Sequence, residues 1–145
     1  MDCSYTKIFV QIRALFAALS IELKKQLTMN VEEIRDYCMQ KPATEEGLPF
    51  GDDTLVFKVA GKIFLLFSLD KGNRFNVKCD PELAVELRDQ HTEVQPGYHM
   101  NKTHWNTVFI DGSLTYKQIH TMIDHSYRLI VKSLPKKVQA ELADD

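Results

Sequence analysis

The sequence has little cysteine, and what it has forms no recognisable pattern. Its 145 residues include 3 cysteines, Cys3, Cys38 and Cys79, which lie far apart and form no Cys-x-x-Cys pair. An odd, scattered set of thiols excludes a disulfide scaffold and favours a cytoplasmic protein. A chain of this length buries roughly two-thirds of its unfolded surface as one domain, so it needs no covalent staple.

Excess charge and long hydrophobic runs are missing as well. The formal net charge is −2 and residues 1–28 carry +2, which leaves −4 for the rest of the chain. A nucleic-acid-binding function would therefore have to depend on a local basic patch. The apolar run 14–19 follows Arg13 and ends before Glu22. It is far shorter than the ~20 residues that span a bilayer, so no membrane anchor is predicted.

The N-terminal residues predict one amphipathic helix, because apolar side chains recur there at helical spacing: Ile8, Ile12, Leu15, Leu19 and Leu23. Asn30, with Glu33 three residues later, forms a capping box at which a domain can begin. We divide the chain into an N-terminal appendage (1–28), a domain (29–134) and a short surface helix with a tail (135–145). An over-extended chain start is the alternative explanation for residues 1–28.

The first half of the domain predicts a helix and three antiparallel strands. The helix covers residues 31–39, and a loop anchored by Phe50 follows. Short turns then join the strands 54–60, 62–70 and 74–79 into a meander. The middle strand is apolar on both sides, with Phe64 and Leu66 on the open face. We expect the N-terminal helix, a second copy of the chain or another partner to cover them.

The second half predicts a helix, a strand and a long helix. Asp80 caps the first helix and Pro81 opens it, a strand begins at Trp105, and the last long helix covers residues 115–133. Pro135 restarts a short charged helix. Helices packed on one face of an antiparallel sheet make a two-layer α+β domain.

Several long segments of the sequence match one known family. They are LPFG (48–51), FKVAGKIFLLF (57–67), VKCDPELAVELR (77–88), PGYHMNKTHWNTV (96–108) and SYRLIVKSL (126–134). Through these segments the chain resembles the MmcQ/YjbR-like proteins, which are small bacterial domains. The resemblance implies a fold like that of the secretion chaperones, with the order α-β-β-β-α-β-β-α, to which residues 1–28 add an extra helix. It also implies DNA binding, a role given to the family by structural analogy.

The segment PGYHMNKTHW (96–105) contains the side chains of a possible site or of a structural corner: Tyr98, His99, Asn101, His104 and Trp105. We favour the corner, with Asn101 bonded to nearby backbone and the rings of Tyr98 and Trp105 buried. No catalytic residue, metal or cofactor is predicted, and Cys79 is interpreted as a small buried hydrophobe. We expect His120 and His125 on the last long helix to be exposed to solvent.

A local basic patch is the one feature that favours nucleic acid. The predicted DNA-binding residues are Lys58, Lys62, Arg74, Asn76, Lys78 and Lys102. The leading hypothesis is a DNA-binding protein of low sequence specificity that contacts phosphates through the open sheet face. The alternative is a protein-interaction or chaperone-like module, or a homodimer, that uses the same face. An enzyme with an unknown substrate is the third hypothesis.

Overall fold

A computed structural model describes residues 3–27 and 29–144, with the side chains of the first helix described for residues 6–20. The described part contains five helices and six strands in the order α1 (Cys3–Leu27), α2 (Val31–Met39), β1 (Thr44–Gly47), β2 (Thr54–Val59), β3 (Lys62–Ser68), β4 (Arg74–Lys78), α3 (Pro81–Gln90), β5 (Val94–Pro96), β6 (Trp105–Phe109), α4 (Tyr116–Lys132) and α5 (Lys136–Ala143).

The strands form one antiparallel sheet with the order β1-β2-β3-β4-β6-β5. α4 packs across β3 and β4, α2 contacts β1, and α3 contacts β5. Side chains from α2, α4 and the sheet form the hydrophobic core. The predicted α+β class and element order are confirmed, with β1 as an additional edge strand.

Local chemistry explains why the helices begin where the sequence predicts. Asn30 and Glu33 form the reciprocal capping box of α2. The Asp80 side chain accepts hydrogen bonds from the first turn of α3, which opens with Pro81. Thr115 caps α4 in the same reciprocal way as Asn30 caps α2. Each cap satisfies backbone N–H groups that have no partner within the helix, so these boundaries are determined locally.

The segment between α2 and β2 differs from the predicted loop. Residues 44–47 pair along β2, from Thr44 opposite Val59 to Gly47 opposite Val56. The prediction failed because a short polar edge strand has no apolar alternation, and only its neighbour gives it strand geometry. Phe50 does not anchor this segment either, since 63% of its surface is exposed.

A β-bulge in β3 changes which side chains reach the core. Phe57 pairs with Leu65 but Lys58 pairs with Ile63, so Phe64 is an extra residue in its strand. Phe64 is fully buried, and its ring meets the edge of Tyr127 of α4 at 5.3 Å. Its predicted place on the open face is therefore wrong.

Ser126 of α4 holds the bulge against the helix layer. Its hydroxyl is fully buried, donates to the carbonyl oxygen of Phe64 at 2.6 Å, and accepts from the backbone N–H of Lys78 at 2.9 Å. One side chain thus connects a helix with two neighbouring strands. A buried polar group of this kind is favourable only because its hydrogen bonds are made.

α1 forms the predicted helix, and its side chains from residue 6 to residue 20 are all exposed. They do not cover the open face of the sheet, which was one of the predicted arrangements. Leu23 lies outside the described side chains. No helix in the described ranges 3–27 and 29–144 is both long and apolar enough to cross a membrane.

Replacing Ser126 with alanine should lower the free energy of unfolding by about 2–5 kcal/mol, because two backbone groups lose a buried partner. Urea denaturation followed by circular dichroism measures this change. Ser133→Ala is the matched control, since Ser133 is exposed and its hydroxyl bonds the carbonyl oxygen of Ile130 and the exposed ammonium of Lys62, with no buried backbone group of the sheet. An equal effect of the two substitutions would show that the bridge to the sheet carries no special weight.

Candidate binding cleft on the open sheet face

A cleft of about 540 Å³ lies on the face of the sheet opposite the core helices. Its floor comes from β3, β4 and β6 and comprises Leu66, Ser68, Arg74, Phe75, Asn76 and Thr107. Its walls come from the first residue of β2, Thr54, and from three connecting segments, which contribute Phe50, Asp53, Asp70, Lys71, Tyr98, His99 and Met100. This volume falls within the range of about 300–1,000 Å³ that is typical of small-molecule sites.

A hydrogen-bonded network fixes one wall to the floor. The Thr107 hydroxyl donates to Oδ1 of Asn76 at 2.6 Å and accepts from the backbone N–H of Tyr98 at 3.0 Å. Nδ2 of Asn76 donates to the carbonyl oxygen of Tyr98 at 3.1 Å. Asn76 and Thr107 are direct neighbours on β4 and β6. The backbone of Tyr98 is thereby held directly above the sheet.

The turn that begins this wall requires glycine. A Cβ atom on Gly97 would lie 2.8 Å from Cβ of Trp105 and 2.9 Å from its carbonyl oxygen. The close approach lets the N–H of Gly97 donate to that carbonyl at 2.8 Å. His99 then adopts a left-handed backbone with φ of 58°, which is unusual for a residue with a side chain. The chain accepts this strain where the wall turns over the cleft.

Arg88 of α3 supports the same segment from the helix side. Its Nε donates to Oδ1 of Asn106 at 2.7 Å, and its Nη2 donates to the carbonyl oxygens of Trp105, at 3.2 Å, and of Lys102. Asn101 forms the predicted turn by accepting from the N–H of Thr103 at 2.9 Å. The sequence analysis did not identify this role, because in the sequence Arg88 looks like any charged residue on a helix.

Two aromatic rings stand exposed on the cleft walls. Phe50 is 63% exposed and Tyr98 is 65% exposed. The Tyr98 ring lies 4.0 Å from that of His99, measured between centroids. The predicted burial of Tyr98 is wrong, whereas Trp105 is half-buried. Large rings exposed beside a polar floor offer flat surfaces on which a ligand can stack.

Arg74 is a cationic group of the cleft that neighbouring side chains hold in place. Its Nε donates to Oδ1 of Asn73 at 3.0 Å, and its guanidinium carbon lies 4.6 Å from the centroid of the Phe109 ring. Among the described side chains, no carboxylate forms an ion pair with it. The guanidinium is therefore held in place while its charge remains available to an anion.

The cleft also contains carboxylates. Asp70 accepts a hydrogen bond from the Ser68 hydroxyl at 2.6 Å, which is the main reason that its pKa lies below the ordinary value. Asp53 lines the same cleft, as does Lys71. Since these two acids offset Lys71 and Arg74, the cleft is polar and of mixed charge.

The structure brings only two of the six predicted DNA-binding residues, Arg74 and Asn76, into the cleft. Lys62 reaches Ser133 at the end of α4, with Nζ 3.4 Å from both its carbonyl and hydroxyl oxygens. The other three lie elsewhere. Lys58 sits opposite Glu45, Lys78 sits opposite Trp105, and Nζ of Lys102 donates to the carbonyl oxygen of Gly97 at 3.3 Å.

The residues considered for other chemistry are dispersed. His99 lines the cleft, whereas His104 is exposed outside it. Burial raises the pKa of the Cys79 thiol to about 11, so it is protonated at neutral pH. Among the described residues, no group of three or more His, Cys, Asp or Glu side chains could hold a metal ion.

The two histidines of α4 are half-buried, contrary to the prediction of solvent exposure. His120 stacks on Tyr37 of α2, with ring centroids 3.7 Å apart and planes 9° from parallel. Nε2 of His125 accepts a hydrogen bond from the backbone N–H of Asp80 at 3.1 Å. Both rings take part in contacts between elements, which the position of a residue on a helix does not reveal.

Comparison with known sequences supports the predicted resemblance. The family model described as YjbR matches residues 39–129. The Escherichia coli (strain K12) protein YjbR, uncharacterised by its name, is 37% identical over 110 residues, covering 75% of this chain and 93% of that protein. YbdF of Escherichia coli O157:H7, also uncharacterised by its name, is 35% identical over 109 residues, covering 74% of this chain and 89% of that protein.

Solved structures agree with the sequence matches. The crystal structure of Deinococcus radiodurans protein DR2400 superposes with a TM-score of 0.74 at 35% identity, covering 81% of this chain and 89% of that chain. A Pseudomonas syringae crystal structure gives a TM-score of 0.61 at 33% identity, covering 70% of this chain and 98% of that chain. The matching family model, sequences and folds show that the chain belongs to the YjbR family.

Proposed function

We propose that this protein binds single-stranded DNA, with low sequence specificity, in the cleft of the open sheet face. The observation that carries the proposal is the pair of exposed rings, Phe50 and Tyr98, on the walls of a polar cleft that contains an arginine without a carboxylate partner. Sequence-tolerant binding of single strands uses this combination, because every base has a face that can stack on an aromatic ring.

Geometry favours a single strand over a duplex. The cleft has a volume of about 540 Å³, which suits one or two unstacked bases and not the width of a helix. The wall that carries Tyr98 is tied to the floor through Asn76 and Thr107, so its ring is positioned before a ligand arrives. Such preorganisation reduces the entropy lost on binding.

The charges support stacking as the main source of affinity. Arg74 and Lys71 can contact phosphates, while Asp53 and Asp70 repel them. Lys62 faces the helix layer, and Lys58 lies opposite Glu45. The cations therefore do not form a continuous track for a phosphate backbone. A protein of this kind binds through few phosphates, and its affinity depends only weakly on salt.

Replacing Tyr98 or Phe50 with alanine should weaken binding of a fluorescent oligothymidine by about 5- to 100-fold, because each ring stacks on a base. Fluorescence anisotropy gives the dissociation constants. Tyr98→Phe should retain most of the affinity, since it keeps the ring. Leu48→Ala is the matched control, because Leu48 is exposed near Phe50 but does not line the cleft. Equal affinity of all four variants and the parent would reject the proposed stacking.

Arg74→Gln should weaken the same complex and reduce its salt dependence. For the parent we expect log K to fall with log salt concentration with a slope of about −0.7 to −1.4, as one or two phosphate contacts to a single strand would give. Lys62→Gln removes the same charge on the helix side of the sheet and should leave both affinity and slope unchanged. A slope steeper than about −4 would instead indicate a phosphate track and contradict the cleft as the main contact.

Protein interaction is the second candidate, and the observation that favours it lies on α1 and not on the sheet. Ile8, Ile12, Leu15 and Leu19 form an exposed apolar stripe along this helix. Alternating steps of four and three residues suit a two-stranded coiled coil, so the partner we propose is α1 of a second copy of the chain. Phe9 and Phe16 widen this stripe on one side, whereas Val10 lies on the opposite side of the helix.

Leu15→Glu combined with Phe16→Glu should convert a self-associating protein into a monomer, because the charges would fall within the paired stripe. Sedimentation velocity at several protein concentrations measures this. Ala14→Glu with Ala17→Glu adds the same charge to the same helix outside the stripe and should leave association intact. A parent protein that is monomeric at every concentration would eliminate this candidate.

A further inference from the structure

The helix layer contains a second concavity, independent of the proposed DNA site. A groove of about 310 Å³ lies between α3 and α4, on the other side of the sheet from the cleft. Its apolar part consists of Leu83, Leu87 and Met122. This volume is at the lower end of the range of about 300–1,000 Å³ for small-molecule sites, so the groove suits a small ligand.

The polar lining of the groove contains basic groups and no acids. Lys117 and Arg128 lie along α4, and His91 and His125 complete the set. Neither Lys117 nor Arg128 forms an ion pair with a described carboxylate. Two basic side chains without acidic partners, beside an apolar surface, are complementary to an anionic head group on an apolar chain.

The nearby carboxylates are occupied elsewhere. Asp80 accepts from the backbone N–H groups of Glu82 and Leu83 at the start of α3. Asp124 accepts from the hydroxyl of Tyr37 at 2.7 Å and pairs with Lys41, on the α2 side of its helix. Neither acid is part of the lining of the groove, although Asp124 and Arg128 still attract each other at longer range.

His125 lines the groove as a neutral ring. Its Nε2 accepts the hydrogen bond from the N–H of Asp80, so the proton of the neutral ring is on Nδ1. Burial and the neighbouring Arg128 lower the pKa of His125, which favours this neutral form at pH 7. The ring therefore lines the groove without adding a charge to it.

We propose that the groove between α3 and α4 binds a small amphiphilic carboxylate, with the carboxylate at Arg128 and Lys117 and the aliphatic chain on Leu83, Leu87 and Met122. The cationic rim without acids selects the anion, and the apolar floor selects the chain. Polar anions without a chain would gain only the exposed charge contacts, which are weak in water.

Octanoate is the probe, titrated into the full-length ¹⁵N-labelled protein and followed by two-dimensional NMR. We expect saturable shifts of amides in α3 and α4, with a dissociation constant of roughly 0.1–1 mM for a ligand of about ten heavy atoms. Octyltrimethylammonium, which has the same chain and the opposite charge, should not shift these amides. No saturable shift, shifts confined to α1 or to the cleft, or equal responses to both compounds would overturn the proposal.

Matched variants separate the groove from general affinity for apolar chains. Arg128→Gln should weaken octanoate binding by about fivefold or more, since it removes a charge-assisted contact. Lys132→Gln removes an exposed cation of α4 outside the groove and should have no effect. If the two variants bind octanoate equally, the carboxylate does not bind at Arg128.

A steric test does not depend on charge. Thr121 is exposed and lines the groove, so Thr121→Trp should fill it and abolish the octanoate shifts. Val85→Trp introduces the same ring on the exposed side of α3 and should leave them unchanged. The NMR spectrum without ligand shows whether each variant is folded. Binding that survives Thr121→Trp would refute the proposed location.

Discussion

A single buried hydroxyl joins the helix layer to the sheet at the point where the sheet is irregular. Ser126 bonds the carbonyl of Phe64, the extra residue of the bulge, and the N–H of Lys78 on the next strand. Because a one-residue insertion reverses the facing of the side chains before it, the bulge determines which residues of β3 point toward the core. It sends Phe64 to Tyr127 and leaves Leu66 in the cleft. The bulge therefore determines both which side chains of β3 enter the core and which lie on the open face.

The same irregularity helps to divide the positive charges. Lys62 lies before the bulge and reaches Ser133 at the end of α4, whereas Arg74 and Lys71 line the cleft on the open face. Lys58 has Glu45 opposite it on the edge strand β1. The sequence predicts a basic sheet face, whereas the structure shows a face of mixed charge around one small cleft. The mixed charge agrees with the negative net charge of residues 29–145. Ligand selection at this face therefore depends more on the shape of the cleft and on stacking than on charge.

The sequence predicted the parts of the fold that depend on neighbouring residues. The caps at Asn30 and Asp80 and the tight turn at Ala60 and Gly61 are local chemistry, and the helices and hairpins follow them closely. Other features depend on residues far away in the chain. β1 exists because β2 pairs with it, and the bulge becomes favourable only when Ser126 arrives from α4. No periodicity within a strand can indicate a partner that lies some sixty residues away.

In the candidate site, the residues of the polar segment 96–105 divide into those that hold the backbone and those that line the cleft. Asn101 and Gly97 are used by the backbone, through an Asx turn and a close approach to Trp105. Arg88, which no local pattern identified, satisfies carbonyl oxygens of the same segment. Three other residues of the segment, Tyr98, His99 and Met100, line the cleft. A structural corner and a wall of the proposed binding cleft are therefore not competing interpretations, because the bonds that make the corner rigid also hold the backbone of Tyr98 above the sheet.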